Sequence, residues 1–299
     1  MSLSLPLTKW PVLLQSRRHL ILLSSILFLL TIFWTLTTSP SFSHFHLPSQ
    51  KSALTLPSQP NLNNYAYVLL LSDSTTTTPS PPVDDLIMSY IQTRTLLFQL
   101  LHDPQTRTAG YPVVVLVSSL VSPAKRQRLT DDGAEVVVVA KEDMRKLPLL
   151  QLFKLVQYDK VLFLSSDNWL TQSLDGIFEE AAVRHTDLSA KDEDALLPSQ
   201  YVFAAPPSTG RYNHSSSPKP STRVPNTGCL VVQPSLELAE YYSKVAAAKE
   251  FTSERDLWED VHREDGGMAW MQLSANWSAD FGEYEDHKSG VAAIQTRPW

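Results

Sequence analysis

Short apolar runs bounded by turn-forming residues recur along this chain, at 67–71, 113–117, 135–139, 161–164, 201–205 and 229–232. Runs of that length, rich in Val and Leu, predict strands, and the four consecutive apolar residues at 161–164 fit a strand buried on both faces of a sheet. Between them the period lengthens to that of a helix. Residues 84–102 place Leu86, Ile87, Tyr90, Ile91, Phe98 and Leu101 on a stripe expected to face a core. Pro123 opens a short helix through Leu129, and Asp132-Gly133 turns the chain into the next strand. Further helices are expected at 149–157, 235–249 and within 251–262. Strand, helix and strand in repeated alternation predict an α/β fold, a mainly parallel sheet with helices on both faces.

The strand at 161–164 ends abruptly in Ser165, Ser166, Asp167 and Asn168. In open α/β sheets the carboxyl ends of the strands are where ligands bind, so Asp167 is a candidate for chemistry. The blander reading is an acid that caps a turn or the following helix. The segment Asn226-Thr227-Gly228 has the same ambiguity. An amide can donate to and accept from a sugar hydroxyl, and a glycine lets backbone approach a ligand, yet the tripeptide also suits an ordinary turn.

The first 64 residues read differently. Residues 20–36 contain no charge and nearly match the roughly 30 Å of a hydrocarbon core at about 1.5 Å per residue. Lys9, Arg17 and Arg18 precede this run and the next basic residue is Lys51. The positive-inside rule therefore predicts a cytosolic tail at 1–18, a signal anchor at 19–38, a stem rich in Ser and Pro at 39–64 and a lumenal domain at 65–299. A cleaved signal peptide is the rival, disfavoured by the length of the run. This is the organisation of a single-pass type II membrane protein of the Golgi or endoplasmic reticulum. Two Asn-x-Ser sequons, at Asn213 and Asn276, fit a lumenal glycoprotein, with Asn276 expected in a buried strand and Asn213 in a polar loop of Ser, Pro and Lys.

A net charge of −6 argues against a nucleic-acid partner, because duplex binding needs a clustered basic face. Lys125, Arg126 and Arg128 are read as a solvated helix face. The single cysteine, Cys229, excludes an intrachain disulfide and a cysteine-rich zinc site, and its apolar neighbours mark it as a small buried hydrophobe. No Gly-x-Ser-x-Gly elbow or His-Glu-x-x-His pair is present, which leaves little support for a hydrolase.

The stretch from Tyr158 through Val161, Leu162 and Leu164 to Asp167 resembles the Tyr-x-x-Val-Leu-x-Leu-Asp-x-Asp motif of glycosyltransferase family 8, the glycogenin-like enzymes of GT-A fold. Four more segments carry the resemblance in order: Leu174-Asp175-Gly176-Ile177-Phe178, the run from Asn226 to Pro234-Ser235, the acidic segment Glu254-Arg255-Asp256, and the final Arg297-Pro298-Trp299. The resemblance implies transfer of a sugar from a nucleotide-sugar donor, a UDP-sugar, to a hydroxyl on a glycan or protein acceptor, with retention of configuration. It implies a divalent cation, manganese, held by Asp167, with Gln295 the nearest side chain able to join it. Ser165, Asp167 and Arg297 would contact the donor, and Asn226 and Glu254 would position the sugar.

The chain departs from the family pattern at Ser165, where an aspartate is expected, at Val291 for histidine, at Arg255 for glutamine and at Leu149 for a phosphate-facing lysine. His262 and His287 are alternative cation ligands, although each reads more simply as a surface histidine. The departures keep a second expectation open, a weakened or inactive relative that serves as a lumenal binding or scaffold protein.

Overall fold

The computed structural model describes residues 64–72, 83–184, 186–187, 200–208, 224–263, 268–280, 282 and 284–295. They belong to one unit, Pro60–Trp299. Strand β1 (Tyr65–Leu71) is followed by helix α1 (Val83–Leu101), β2 (Val113–Ser118), α2 (Pro123–Asp131) and β3 (Glu135–Val139). Then come α3 (Lys141–Lys146), a 3-10 helix (Pro148–Lys154), β4 (Lys160–Leu164) and β5 (Asn168–Leu170). The remaining elements are two 3-10 helices (Asp175–Glu179 and Ala181–Val183), β6 (Thr186–Asp187), β7 (Gln200–Tyr201), β8 (Phe203–Ala205), β9 (Cys229–Val232), α4 (Leu236–Ala248), α5 (Glu254–Val261), β10 (Met271–Gln272), β11 (Ser278–Ala279), α6 (Tyr284–Ser289) and β12 (Ala293–Gln295).

The main sheet has seven strands in the order β10-β8-β9-β4-β1-β2-β3. Strand β1 pairs in parallel with β2 on one side and β4 on the other, β2 with β3 and β8 with β10, whereas β9 runs antiparallel to both β4 and β8. The sheet is thus mixed and mainly parallel, as the alternation of apolar runs and helices requires.

Period-two alternation assigns the residues of the central strands to one of two cores, whereas the edge strand β3 leaves Glu135, Val137 and Val138 exposed. Tyr65, Tyr67, Leu69, Val113, Val115, Leu162 and Leu164 face α1 and α2, with Leu96, Leu97 and Leu100 from α1 and Leu129 from α2. Ala66, Val68, Val114, Leu116, Val161 and Phe163 face the other side, against Leu152 and Phe153, Leu238 and Tyr242 of α4, and Leu257 and Trp258 of α5. Helices therefore cover both faces. Each fully buried Leu, Val or Phe contributes about 1.5–3 kcal/mol of transfer free energy.

Local chemistry sets the helix starts. Ser122 Oγ accepts from the Lys125 N–H at the start of α2, and Ser235 Oγ accepts from the Leu238 N–H at the start of α4. At α5, Ser253 and Asp256 form a reciprocal capping box, so the Asp256 carboxylate is spent on the Ser253 N–H at 2.9 Å.

Several expectations are corrected. Of the stripe expected on α1, Tyr90 and Leu101 pack against the core, but Ile87, Ile91 and Phe98 face outward, and the buried side is Thr93, Leu96, Leu97 and Leu100. Apolar residues occur on both sides of this helix, and the side bearing the closely spaced leucines packs on the sheet. The helix expected at 149–157 is a 3-10 helix, in which five of seven residues are buried, so no single α-helical face exists to be packed. The strand expected at 201–205 divides at Val202, with β7 pairing β6 and β8 pairing β9. His262 is fully buried: Nδ1 lies 2.7 Å from the Met268 carbonyl, Nε2 lies 3.0 Å from Tyr242 Oη, and the ring stacks on Phe203. Burial holds its pKa down, at about 3. Asn276 is exposed in the turn before β11 rather than in a buried strand.

Among the described residues no helix is long and apolar enough to cross a membrane. The tail, the anchor at 19–38, the stem as far as residue 63, and Asn213 lie outside the described residues.

Candidate functional site

Strand order reverses about β1 and β4, and the chain leaving β4 enters the turn 165–168 at this switch point. Backbone and side-chain bonds fix the turn. Ser165 N–H donates to the Gly228 carbonyl at 2.9 Å, and the Ser165 carbonyl accepts from the Asn168 N–H at 3.0 Å. Asn168 Nδ2 donates to the carbonyls of Ser165 and Gly228 at 2.9 and 3.0 Å, tying the end of β4 to the start of β9.

A second, three-stranded sheet, ordered β11-β12-β5, brings the end of the chain to this turn. Strand β12 runs antiparallel to β5 with Gln295 opposite Asn168. The neighbouring Asp167 carboxylate thereby meets the Gln295 amide, whose Nε2 donates to Oδ1 at 3.2 Å and to Oδ2 at 3.0 Å.

The Asn226 side chain is buried and acts as a bracket. Its Oδ1 accepts from the Gly228 N–H at 2.9 Å and its Nδ2 donates to Ser278 Oγ at 3.2 Å. Gly228 needs to be small here, since a Cβ would lie 3.1 Å from both Gln295 amide atoms and 3.2 Å from Asn226 Oδ1.

These residues enclose a polar cavity of about 270 Å³ whose walls include Asp167, Asn226, Gly228, Arg255, Asp280 and Gln295. The cavity brings together Asp167, Asn226 and Gln295 from the expected set. Ser165 stands at its edge through backbone bonds, and Arg297 lies outside the described residues. Glu254 points elsewhere. Its Oε1 accepts from the Leu149 and Leu150 N–H groups at 2.8 and 3.3 Å, at the start of the 3-10 helix. Burial pushes this carboxyl up to about 8, outweighing the two donors that favour its charged form.

Two residues of the cavity were not expected to serve it. Arg255, the next residue after Glu254, lines it, with Nε 2.7 Å from Glu259 Oε1. Asp280 follows the buried strand β11 and accepts from Ser208 Oγ at 2.5 Å. The same strand-end rule that singles out Asp167 would have found Asp280, had so short a strand been legible.

A larger cavity, about 540 Å³, lies against the 3-10 helix and α4 and includes Lys146, Lys154, Ser243, Phe251 and Glu254. No residue of the turn 165–168 lines it, and of the motif segments only Glu254 reaches it, so the smaller cavity is the better candidate.

The donor set can be tested for a cation. A hard divalent ion wants several carboxylate or carbonyl oxygens converging on one point. Among the described residues no group of three His, Cys, Asp or Glu side chains is so arranged, and the Gln295 group facing Asp167 is the amide nitrogen, a donor that cannot ligate. His262 is committed to the core and Val291 to a small apolar cluster with Ala279 and Ile294. Among the described residues, the side chains around Asp167 do not form a divalent-cation site.

No family model matches the chain. Two uncharacterized proteins of Schizosaccharomyces pombe are similar to it. One is 33% identical over 116 residues, covering 33% of this chain and 31% of that protein. The other is 23% identical over 230 residues, covering 60% and 61%. The chain therefore spans less than two thirds of the length of either relative.

Similar solved structures include apo WbbM, a bifunctional glycosyltransferase, at 14% identity and TM-score 0.49, covering 80% of this chain and 47% of that one. The galactosyltransferase LgtC, in complex with donor and acceptor sugar analogues, is 13% identical with TM-score 0.44, covering 77% and 86%. Mouse xyloside xylosyltransferase 1 is 13% identical with TM-score 0.43, covering 78% and 97%.

Proposed function

We propose that the cavity beside Asp167 binds the sugar end of a nucleotide-sugar donor, a UDP-sugar, and that the protein transfers this sugar to a hydroxyl acceptor. One observation carries the reading. Motif segments far apart in the chain, at 167, 226–228 and 255, converge with Gln295 on a single polar cavity at the switch point of the sheet. A volume of about 270 Å³ is below the roughly 300–1,000 Å³ of pockets that enclose whole drug-sized ligands, and suits a monosaccharide.

Sugar transfer breaks the bond between the anomeric carbon and the diphosphate oxygen, so negative charge grows on the leaving group. In this proposal Arg255 supplies the fixed positive charge that offsets it, with several donors available for phosphate oxygens. Asp167 and Asp280 accept from sugar hydroxyls, and Gln295 orients Asp167. Asn226 shapes the wall and leaves the ligand contacts to its neighbours. No step is assigned to a divalent cation, because the donor set does not fit one.

A second reading, a domain that binds the donor without turning it over, is favoured by the same Gln295–Asp167 bond, which occupies the carboxylate. Calorimetry with UDP and UDP-glucose, with and without manganese, joined to an assay of UDP release, tests both. Binding that manganese changes little, and that Arg255→Leu weakens by about ten-fold or more, is expected for loss of a charge-assisted contact. UDP release in the presence of acceptor supports transfer, and binding without release supports the second reading. No binding of either ligand removes both.

A further inference from the structure

The outward stripe of α1 is an unusual surface. Ile87, Met88, Ile91 and Phe98 are 44%, 40%, 49% and 57% exposed, and they supply four of the ten exposed large hydrophobic residues among those described. Scattered single apolar residues on a surface need no explanation, but a patch on one helix does. At 100° per residue Ile87, Ile91 and Phe98 fall within about 40° of one another, opposite the buried Leu96 and Leu100. The helix is thus apolar on two sides, and the sheet covers one.

A cationic edge borders the stripe. The Arg94 guanidinium and the Lys125 ammonium lie 5.8 and 5.1 Å from the centroid of the Tyr90 ring. Arg94 and Arg128 both reach Asp132, at 2.5 and 3.3 Å, so one acid is shared between two cations. The adjacent Asp131 is turned to Gln127 at 2.9 Å.

We propose that the outer face of α1 docks on a phospholipid surface, with Ile87, Ile91 and Phe98 entering the headgroup boundary and Arg94, Lys125 and Arg128 against lipid phosphates. An apolar stripe flanked by Lys and Arg is the pattern of a helix lying in the interface plane, its apolar side buried about 5–10 Å. Lipid phosphates complement the cationic edge.

The chain preceding the described residues points to the same occupant, and this part rests on reading residues 20–36 as a membrane segment. Only 27 residues separate Leu36 from Asn64. Fully extended they reach no more than about 100 Å, which keeps the domain at a high effective concentration near the bilayer.

The test uses the full chain reconstituted into phosphatidylcholine vesicles with or without phosphatidylserine. Cys229 is fully buried, so an exposed engineered cysteine labels selectively. A fluorophore is placed at Ile91→Cys, with Phe98→Cys as a second reporter and Glu240→Cys, on α4 at the opposite face of the sheet, as reference.

Brominated lipid is expected to quench the α1 reporters more than the reference, and more strongly with phosphatidylserine. Lys125→Gln and Arg128→Gln are each expected to lower the docked fraction relative to the undocked by about five-fold. Equal quenching at the three positions overturns the proposal. So does a spectral shift at position 91 that needs no phosphatidylserine and grows with protein concentration, which would identify a second copy as the occupant. A reporter shielded equally in detergent and in either vesicle overturns it in favour of the chain's own segment.

Discussion

Gln295 Nε2 sits 3.0 and 3.2 Å from the two carboxylate oxygens of Asp167, a side-chain amide gripping the acid at the strand end. The pairing follows from register, since β12 lies antiparallel to β5 with Gln295 opposite Asn168. A donor in this place neutralises part of the carboxylate field without recruiting an ion.

Gln295→Glu exchanges that donor for a second carboxylate. The variant is expected to lose about 1–3 kcal/mol of stability in metal-free buffer, because a bond is replaced by like-charge contact. Manganese should restore the melting temperature of the variant and leave the parent protein unchanged. Thermal melts with and without manganese check this, and a parent protein stabilised by manganese would contradict the donor-set argument.

Gly228→Ala puts a methyl group 3.1 Å from both Gln295 amide atoms. Glycine at 228 has no positive φ, so the effect is steric rather than conformational. Overpacking of this kind costs about 1–3 kcal/mol. The urea midpoint should fall and UDP-glucose binding should weaken with it, because Gln295 must move off Asp167.

Asn226→Ala removes the acceptor of the Gly228 N–H and the donor to buried Ser278. Leaving buried polar groups unpaired costs about 1–3 kcal/mol each. Asn226→Asp retains the acceptor and should recover part of the loss. Full stability in the alanine variant, measured by urea unfolding, would show that the bracket is dispensable.

His262 makes stability depend on acidity. Its pKa falls from 6.5 in the unfolded chain to about 3 in the core. Between those values the unfolded state binds the extra proton, so stability is lost as pH falls through that window. From pH 7.5 to 5 the loss from this group is about 2 kcal/mol. Urea titrations at both pH values in a Glu254→Gln background, which removes the opposing contribution of that carboxyl, check it, and adding His262→Phe there should flatten the dependence while costing about 1–3 kcal/mol at neutral pH through the unpaired Tyr242 hydroxyl and Met268 carbonyl.

Glu254 has the opposite sign. Its carboxyl rises from 4.5 to about 8, so the folded state holds the proton and stability declines as pH increases through that interval. Glu254→Gln keeps an acceptor for the Leu149 and Leu150 N–H groups and removes the buried charge. The variant should be as stable as the parent at pH 5 and more stable at pH 8, by denaturant titration. A variant less stable at pH 8 would mean the charge is needed.

Apolar runs and their period are local properties of a sequence, and for that reason the central strands of the main sheet, their alternation with helices and the acid at the end of β4 could be read from residue order alone, whereas the two-residue strand β10 could not. Four consecutive apolar residues need an apolar layer on each side, so Val161–Leu164 could only be internal. Helices were harder, because α1 is apolar on both sides and the sequence does not say which side meets the sheet. The choice of Leu96, Leu97 and Leu100 over Ile87, Ile91 and Phe98 depends on the shape of the surface beneath them.

The site divides in the same way. Asp167, Asn226 and Gly228 were legible because a strand end and a turn announce themselves within a few residues. The direction of Glu254 and Arg255, one toward the 3-10 helix and one into the cavity, depends on how α5 is rotated against its neighbours. The meeting of Asp167 with Gln295, 128 positions away, depends on a three-residue strand finding its partner. Contacts of that range are made by packing, and no pattern confined to one stretch of chain encodes them.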